Sequence, residues 1–314
     1  MRENNPPGDP PLMGLRLAIL GPGRVGASVA HWCHRLGAEL VALAGRRRAT
    51  AEAGGLADLV DLDRVWSELE TFDPSAADLL LIAVSDVALS EVAEQLAGRP
   101  PAPVVLHASG LHDASVLAPL GRRSSLGSLH PLRAFATVST RLEEVSGTCF
   151  AIDGDPPARA LAERLARAFG GDPVVIDGER RLLYHLAASV AAGGVTTVLS
   201  WVDELIAEAD LPRSLFSSYL GLTRSALAPL DAGIRPAAAI TGPAARGDDE
   251  TVARQIERLD AVAPALGPTV RALMAETRRQ RRRVEPSEQR RPEASNASAA
   301  RSCGNEPENE VKTE

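Results

Sequence analysis

Residues 15–26 read Leu-Arg-Leu-Ala-Ile-Leu-Gly-Pro-Gly-Arg-Val-Gly, an apolar run that breaks into a glycine-spaced turn. The run over 15–20 is short, continuous and apolar, which predicts a strand buried on both faces of a parallel sheet. The residues that follow, ASVAHWCHRLG, carry helical periodicity, so a helix is expected over 24–36. Gly21, Pro22, Gly23, Arg24, Val25 and Gly26 thus form a GxGxxG turn between strand and helix. Each glycine answers a separate demand: a tight turn, close approach of a pyrophosphate to the backbone, and close packing of helix on strand. The helix start also presents unpaired N–H groups to an anion. Alone the pattern is a common glycine-rich turn, but in this setting it predicts a Rossmann-type dinucleotide-binding domain.

Outward from that turn, further apolar runs fall at 39–44, 79–84 and 104–108, alternating with helical patterns near 86–97 and 114–120. Runs at 149–152 and 173–176 flank an amphipathic stretch over 158–169, so the βα alternation is expected to continue to residue 177. Beyond it only helical patterns remain, over 179–210, 212–231, 249–262 and 264–283, with Pro212 and Pro264 suited to first helical turns. The expected organisation is a disordered leader over 1–13, a Rossmann domain with a doubly wound parallel sheet over 14–177, an all-helical substrate and dimerisation domain over 178–283, and a disordered tail over 284–314. Leader and tail are too polar to repay their ordering entropy.

A site that prefers NAD carries Asp or Glu at the end of the second strand, where the carboxylate holds the ribose 2′-hydroxyl. Here that place is Gly45, followed by Arg46, Arg47 and Arg48. Guanidinium groups suit a 2′-phosphate, so the expected cofactor is NADP in preference to NAD, with Arg46 and Arg47 as its ligands. A solvated helix start explains the same arginines without a ligand. Val84 and Ser85, after the run over 79–84, are expected to line the cofactor crevice. Asp86 is read as a cap of the following helix.

Composition narrows the partners. A net charge of −7 and 3% aromatic residues offer neither the basic field nor the stacking surfaces that nucleic acid binding needs. Cys33, Cys149 and Cys303 are far apart and lack metal-ligand spacing, so no metal site is expected and a reducing cytoplasm fits. The uncharged stretch over 186–202 is short for a membrane span and is read as a buried core helix. Arg278 to Arg283 could serve a nucleic-acid or membrane adaptor, but the overall charge opposes both partners.

Reduction of a carbonyl or imine needs a group that gives or steadies a proton, and histidine suits that task near neutral pH. His31, His34 and His112 are assigned structural or solvent-facing roles. His130 (in GSLHPLRAF), His107 (in HASG) and His185 are the catalytic candidates, the first two because they end strand-like runs that open on the crevice. Ser109 and Ser128 are candidate donors to a substrate carboxylate, with Arg133 as its counter-charge. Each of these residues could equally be a core, cap or turn residue.

The order of GPGRVG, AVSD, HASG, GSLHPLRAF, YHLAAS and ITGPAARGD over residues 15–277 resembles a bacterial family that joins a Rossmann-like domain to a helical domain of unknown function, number 2520. The resemblance extends to a wider 6-phosphogluconate dehydrogenase C-terminal-like group that includes pyrroline carboxylate reductases, prephenate dehydrogenases and coenzyme F420-type NADP oxidoreductases. It implies a helical domain that forms dimers across the substrate site, and in similar prephenate dehydrogenases a His-Pro pair borders the substrate, as His130-Pro131 would here. One departure is Gly193, where the family carries Asn on the helix after Tyr184-His185; if that Asn orients substrate, catalysis by this member is in question. Paired glycines at 193 and 194 imply a close helix contact or a kink. The combined expectation is a cytoplasmic, homodimeric NADP-dependent oxidoreductase acting on a small carboxylate-bearing keto, hydroxy or imine compound. The rival expectation is a non-catalytic sensor or scaffold that binds NADP(H).

Overall fold

A computed structural model describes residues 10–100, 102–137 and 140–283. The chain opens with β1 (Arg16–Leu20), α1 (Arg24–Arg35) and β2 (Glu39–Ala44), then α2 (Arg48–Ala53), α3 (Leu62–Val65) and β3 (Trp66–Ser67). It continues through β4 (Leu79–Ile82), α4 (Asp86–Leu96), β5 (Val104–His107), a 3-10 segment (Ala114–Arg123) and β6 (Ser125–Pro131). After β7 (Cys149–Gly154), α5 (Pro156–Ala168) and β8 (Asp172–Val175), only helices follow among the described residues. Among the described residues the strands form one eight-stranded sheet in the order β3-β2-β1-β4-β5-β6-β7-β8. Strand order therefore reverses between β1 and β4, the switch point at which open α/β sheets bind ligands.

Every pairing is parallel except β6 with β7, where His130 faces Ala151 in an antiparallel register. The doubly wound parallel sheet expected is therefore present, mostly parallel, with one antiparallel pair near its outer edge. A parallel neighbour needs a long crossover, normally a helix, and among the described residues the link from β6 to β7 holds only the short 3-10 turn Leu142–Val145. The 3-10 segment at 114–123 replaces the expected helix near 114–120, and Pro119 with the non-helical Gly121 breaks it.

Burial follows the period of two. On β1 and β4, Leu17, Ile19, Leu79 and Leu81 pack into one layer with Trp32 and Phe169, while Ala18, Leu20, Leu80 and Ile82 pack into the other with Leu89 and Val92 of α4. Leu12 is fully buried in the first layer and its N–H donates to the Leu36 carbonyl at 2.9 Å, so residues 10–13 belong to the fold and not to the flexible leader expected over 1–13. Leu12 is the leader's single leucine, and its apolar area favours docking. Residues 1–9 of that leader, and the tail over 284–314 with Cys303, lie outside the described residues.

The chain divides into two compact units, Met1–Val195 and Thr196–Glu314. The division falls within a long helix made of α6 (Gly178–Ser189), a π-helical turn (Val190–Gly194) and α7 (Val195–Glu208). The second unit adds α8 (Leu215–Asp231), the single turns α9 (Pro236–Ala239) and α10 (Pro243–Arg246), α11 (Asp249–Val262) and α12 (Gly267–Arg282). Its small core gathers Leu259, Ala263 and Leu266 with Trp201, Ile256 and Val270. Pro212 precedes α8 by a turn that its carbonyl closes with the Leu215 N–H at 2.9 Å, so it stands before the helix and not in its first turn as expected. At the paired glycines a Cβ on Gly193 would meet nothing within 4 Å and one on Gly194 would lie 3.8 Å from Cγ1 of Val190, and a π-helical turn is the irregularity found there.

Candidate functional site

The GxGxxG turn folds as its three glycines require. Gly21 has φ +96°, and a Cβ on it would lie 2.7 Å from the Ala83 carbonyl oxygen. A Cβ on Gly26 would lie 2.2 Å from the Gly21 carbonyl oxygen, so α1 could not approach β1 with any side chain there. Gly23, the N-cap of α1, is the converse case: a Cβ would meet nothing within 4 Å, and the space it leaves is open cleft. No acidic residue stands in the first turn of α1, which suits an anion at that helix start.

The cleft itself measures about 800 Å³ and lies at the β1/β4 switch point. Gly21, Pro22 and Gly23 form one wall, Gly45, Arg46 and Arg47 another, and Ala83, Val84 and Ser85 a third. Glu68, Glu70 and Glu91 also border it. A Cβ at Gly45 would sit 2.7 Å from Cδ of Pro22, so the loop excludes a carboxylate side chain at the position that selects NAD. Arg48 is engaged with Glu52 and Asp63, the latter at 2.7 Å, whereas Arg46 and Arg47 are exposed and form no ion pair among the described residues. Glycines and arginines thus fit a dinucleotide with a 2′-phosphate: the cradle is free of side chains and the nearby cations are uncommitted. Arg24 points elsewhere, its guanidinium donating to the Phe135 carbonyl at 3.4 Å, and Val25 is half-buried against the core.

The histidines gather at the carboxyl ends of β5 and β6. Tyr184 and His185 reach them from α6, and Asp86 from the first turn of α4. Nδ1 of His130 lies 2.8 Å from the Tyr184 hydroxyl, with the rings edge to face at 87°. The rings of His130 and His185 stand 6.3 Å apart. Gly110 lies between them: a Cβ there would be 2.7 Å from Nε2 of His130 and 2.8 Å from Nδ1 of His185. That Nδ1 is buried with no hydrogen-bond partner, while Nε2 of the same ring is 3.9 Å from Asp86 Oδ2. Asp86 therefore faces an imidazole and is not the N-cap expected; Ser85 holds the cap position, without a side-chain cap bond. Burial, then repulsion from His185 and Arg181, pushes His130 down to about 4, so its ring is neutral at physiological pH.

His107 does not join this group as a reactive residue. It is fully buried, its Nδ1 accepts the Ser109 N–H at 3.2 Å, and its Nε2 donates to the Asp113 carbonyl at 3.0 Å. Both nitrogens are used, and burial with the nearby Arg181 charge lowers its pKa to about 3. Ser109 is likewise occupied, its hydroxyl accepting the N–H groups of Leu111 and His112 at 3.1 Å each, which makes it a turn residue. Arg133 holds the Glu144 carboxylate at 3.0 Å instead of standing free as a counter-charge.

The residue that sequence reasoning missed is Arg181. Its side chain is fully buried at the start of α6, and it donates to the Ile176 carbonyl at 3.1 Å, the Ser109 carbonyl at 3.0 Å and the Ser128 hydroxyl. Ser128 is thereby spent on Arg181. Burial lowers the pKa of that guanidinium, whose partners are all neutral acceptors. In the run Gly178-Glu179-Arg180-Arg181 the arginine reads as part of a solvated helix start, and only the paired polar residues at the ends of β5 and β6 hint that something buried must satisfy them.

A glycine cradle at the switch point, with histidines at the neighbouring strand ends, defines an open α/β protein of the Rossmann class. Residues 4–131 match the Rossmann-like domain, and residues 148–277 match the domain of unknown function DUF2520. The chain thus carries a Rossmann-like domain followed by a DUF2520 domain. No curated protein matches it in sequence. Among solved structures it is similar to a Bacteroides fragilis protein assigned as an NADP oxidoreductase, with TM-score 0.72 and 19% identity over 85% of this chain and 99% of that one. A Thermotoga maritima protein aligns with TM-score 0.62 and 19% identity over 87% and 100% of the two chains. The NADP-bound pyrroline carboxylate reductase of Plasmodium falciparum aligns with TM-score 0.54 and 12% identity over 85% and 98%.

Proposed function

We propose that this protein is an NADP-dependent oxidoreductase acting on a small keto, hydroxy or imine compound that bears a carboxylate. The observation that carries the reading is the cleft in which Gly23 leaves an open cradle and two uncommitted arginines stand where an acid would select NAD. Similarity to proteins described as NADP oxidoreductases and pyrroline carboxylate reductase supports it. Gly21, Gly23 and the start of α1 would hold the pyrophosphate, Arg46 and Arg47 the 2′-phosphate, and Val84 and Ser85 the side towards the histidines. The bound cofactor supplies or accepts a hydride. His130 and His185, at the strand ends beside Asp86, hold or move a proton at the reacting atom of the substrate. A substrate carboxylate would have to displace the pair between Arg133 and Glu144, because Arg181 is sealed in the protein.

The engagement of both Arg133 and Arg181 with other groups favours one second reading, a sensor that binds NADP(H) without turnover. Screening 2-keto acids and cyclic imines with NADPH separates the two. Turnover that falls at least about tenfold in His130→Asn, with NADPH binding retained, supports the enzyme. Tight NADPH binding with no turnover across the screen supports the sensor.

The assembly belongs to the same proposal. Leu182, Leu183, Leu186 and Val190 are 63%, 70%, 54% and 62% exposed, so the helix read as buried core is uncovered in the single chain. Gly178–Glu208 is also long and apolar enough to cross a membrane by length and composition. A second copy packed on this stripe would cover it, and we assign the protein as a cytoplasmic homodimer, with residues 10–177 as cofactor domain and 178–283 as substrate and dimerisation domain. Its partner molecule is a small substrate, not nucleic acid or membrane.

A further inference from the structure

Away from Ser85, the cofactor cleft is walled by α4, and this wall carries a pattern that phosphate contacts do not explain. Val87, Ala88, Glu91 and Gln95 all line the cleft, at the i, i+1, i+4 and i+8 spacing of one helix stripe. Val87 is 93% exposed, an apolar side chain left in water at the rim of the cleft. Two turns further on, Nε2 of Gln95 donates to Oε1 of Glu91 at 3.0 Å. Glu91 forms no ion pair among the described residues, and a carboxylate beside a cleft suited to an anionic cofactor is unfavourable unless a donor meets it. The pair leaves one carboxylate oxygen free to accept and one amide N–H free to donate, side by side. Arg99 ties this end of the cleft together. Its guanidinium donates to the Gln95 carbonyl at 3.0 Å, to the Leu69 carbonyl, and to the Phe72 carbonyl at 3.4 Å, so the 3-10 turn Leu69–Thr71 and the last turn of α4 keep a set spacing.

We infer that this end of the cleft reads the base of the cofactor: adenine lies along Val87, Ala88 and Leu69, its exocyclic amine donates to Glu91, and a ring nitrogen accepts from Gln95. The inference rests on the NADP reading and deepens it, adding Glu91 as a residue that selects a 6-amino purine. A 6-oxo purine reverses both positions, with an acceptor at carbon 6 and a proton on the adjacent N1, so it sets oxygen against carboxylate and N–H against N–H. Glu68 and Glu70 also border the cleft, but Glu91 is the one whose carboxylate Gln95 holds in a set direction. Arg99 is a positioning residue, since it fixes the spacing of the walls and lies outside the residues that line the cleft.

The test is calorimetric titration of the full chain with NADPH and with its 6-oxo analogue, in which hypoxanthine replaces adenine. The wild type should bind NADPH at least about tenfold more tightly, the size expected of a hydrogen bond to a charged group. Glu91→Gln should bring the two affinities to within about threefold, because an amide can turn either its oxygen or its nitrogen to the base. Glu94→Gln, at an exposed position of α4 that does not line the cleft, should keep the wild-type ratio. Both substituted side chains are exposed, so neither change threatens the fold, and the wild-type ratio is itself a test that needs no variant. Equal affinities in the wild type, an undiminished ratio in Glu91→Gln, or a ratio lost equally in Glu94→Gln would overturn the inference while leaving the cofactor reading intact. A wild type that binds neither dinucleotide would overturn the cofactor reading and the base assignment with it, so the two failures are separable.

Discussion

Replacing Gly23 by Val should remove NADPH binding while leaving the fold almost untouched, and the structure supplies both halves of that statement. Gly23 has φ −73° and ψ −165°, a conformation open to any L-residue, and a Cβ there touches nothing within 4 Å. The cost to the free protein is therefore limited to a poorer N-cap, about 1 kcal/mol at most. For a chain of this size each kcal/mol moves the melting temperature by about 2–4 °C. At a hundredfold excess over its dissociation constant, NADPH stabilises the wild type by about 2.7 kcal/mol, a rise of about 5–10 °C. The valine branches would stand in the cleft where the pyrophosphate must approach the backbone, and that rise should vanish. Gly26→Val is the contrasting variant: its Cβ would lie 2.2 Å from the Gly21 carbonyl oxygen, so the free protein itself should lose about 1–3 kcal/mol or more. Fluorimetric melts of wild type and both variants, with and without NADPH, read all the quantities. A Gly23→Val protein that still gains the full NADPH shift would refute the cradle, and one that melts as early as Gly26→Val would refute the open space.

Three other outcomes follow from the same coordinates. Arg46→Ala with Arg47→Ala should shrink the advantage of NADPH over NADH in such melts by about 1–3 kcal/mol, and equal stabilisation of the wild type by the two cofactors would contradict the 2′-phosphate assignment. His107 and His130 are pushed down to about 3 and about 4, so between those values and about 6.5 the unfolded chain binds more protons than the native one; stability should then be full above pH 6.5 and fall by roughly 2 kcal/mol per histidine on acidification to pH 5, a fall that His130→Asn should halve. Leu183→Glu with Leu186→Glu should turn a dimer seen by light scattering into a monomer, and a wild type already monomeric at micromolar concentration would remove the need for a covering subunit.

What could be read from the sequence follows from which constraints are local. GPGRVG was legible because turn, phosphate approach and helix packing each require glycine at a fixed spacing, and the buried strands because parallel sheets demand unbroken apolar runs. β3 went unseen because two residues carry no period, and β6 was legible only as the short strand-like run that His130 ends, because Gly127, Ser128 and His130 interrupt its apolar pattern. The direction of β7 was illegible, since alternation of elements does not encode parallel or antiparallel pairing. At the histidines, position at a strand end was legible but availability was not. His107 and His130 read alike, and only the surrounding partners show one ring with both nitrogens used and the other held at Nδ1 by the Tyr184 hydroxyl. Arg133 and Arg181 were misread for the same reason, since a charged residue's sequence neighbours do not reveal its partner in space.

Arg181 also bears on how the molecule comes together. Its guanidinium is satisfied only when Ile176, Ser109 and Ser128 are all in place, that is, when the ends of β8 and β5 and the middle of β6 have already been brought into one sheet. A chain lacking any one of them would enclose a cation short of acceptors, which is costly enough to keep the start of α6 in water. The outer half of the sheet and the seating of Tyr184 and His185 should therefore form as a single cooperative event. Hydrogen exchange would show this as one shared opening for the Ser109, Ser128 and Tyr184 amides, and it would mean that no partly assembled chain displays half of the pocket.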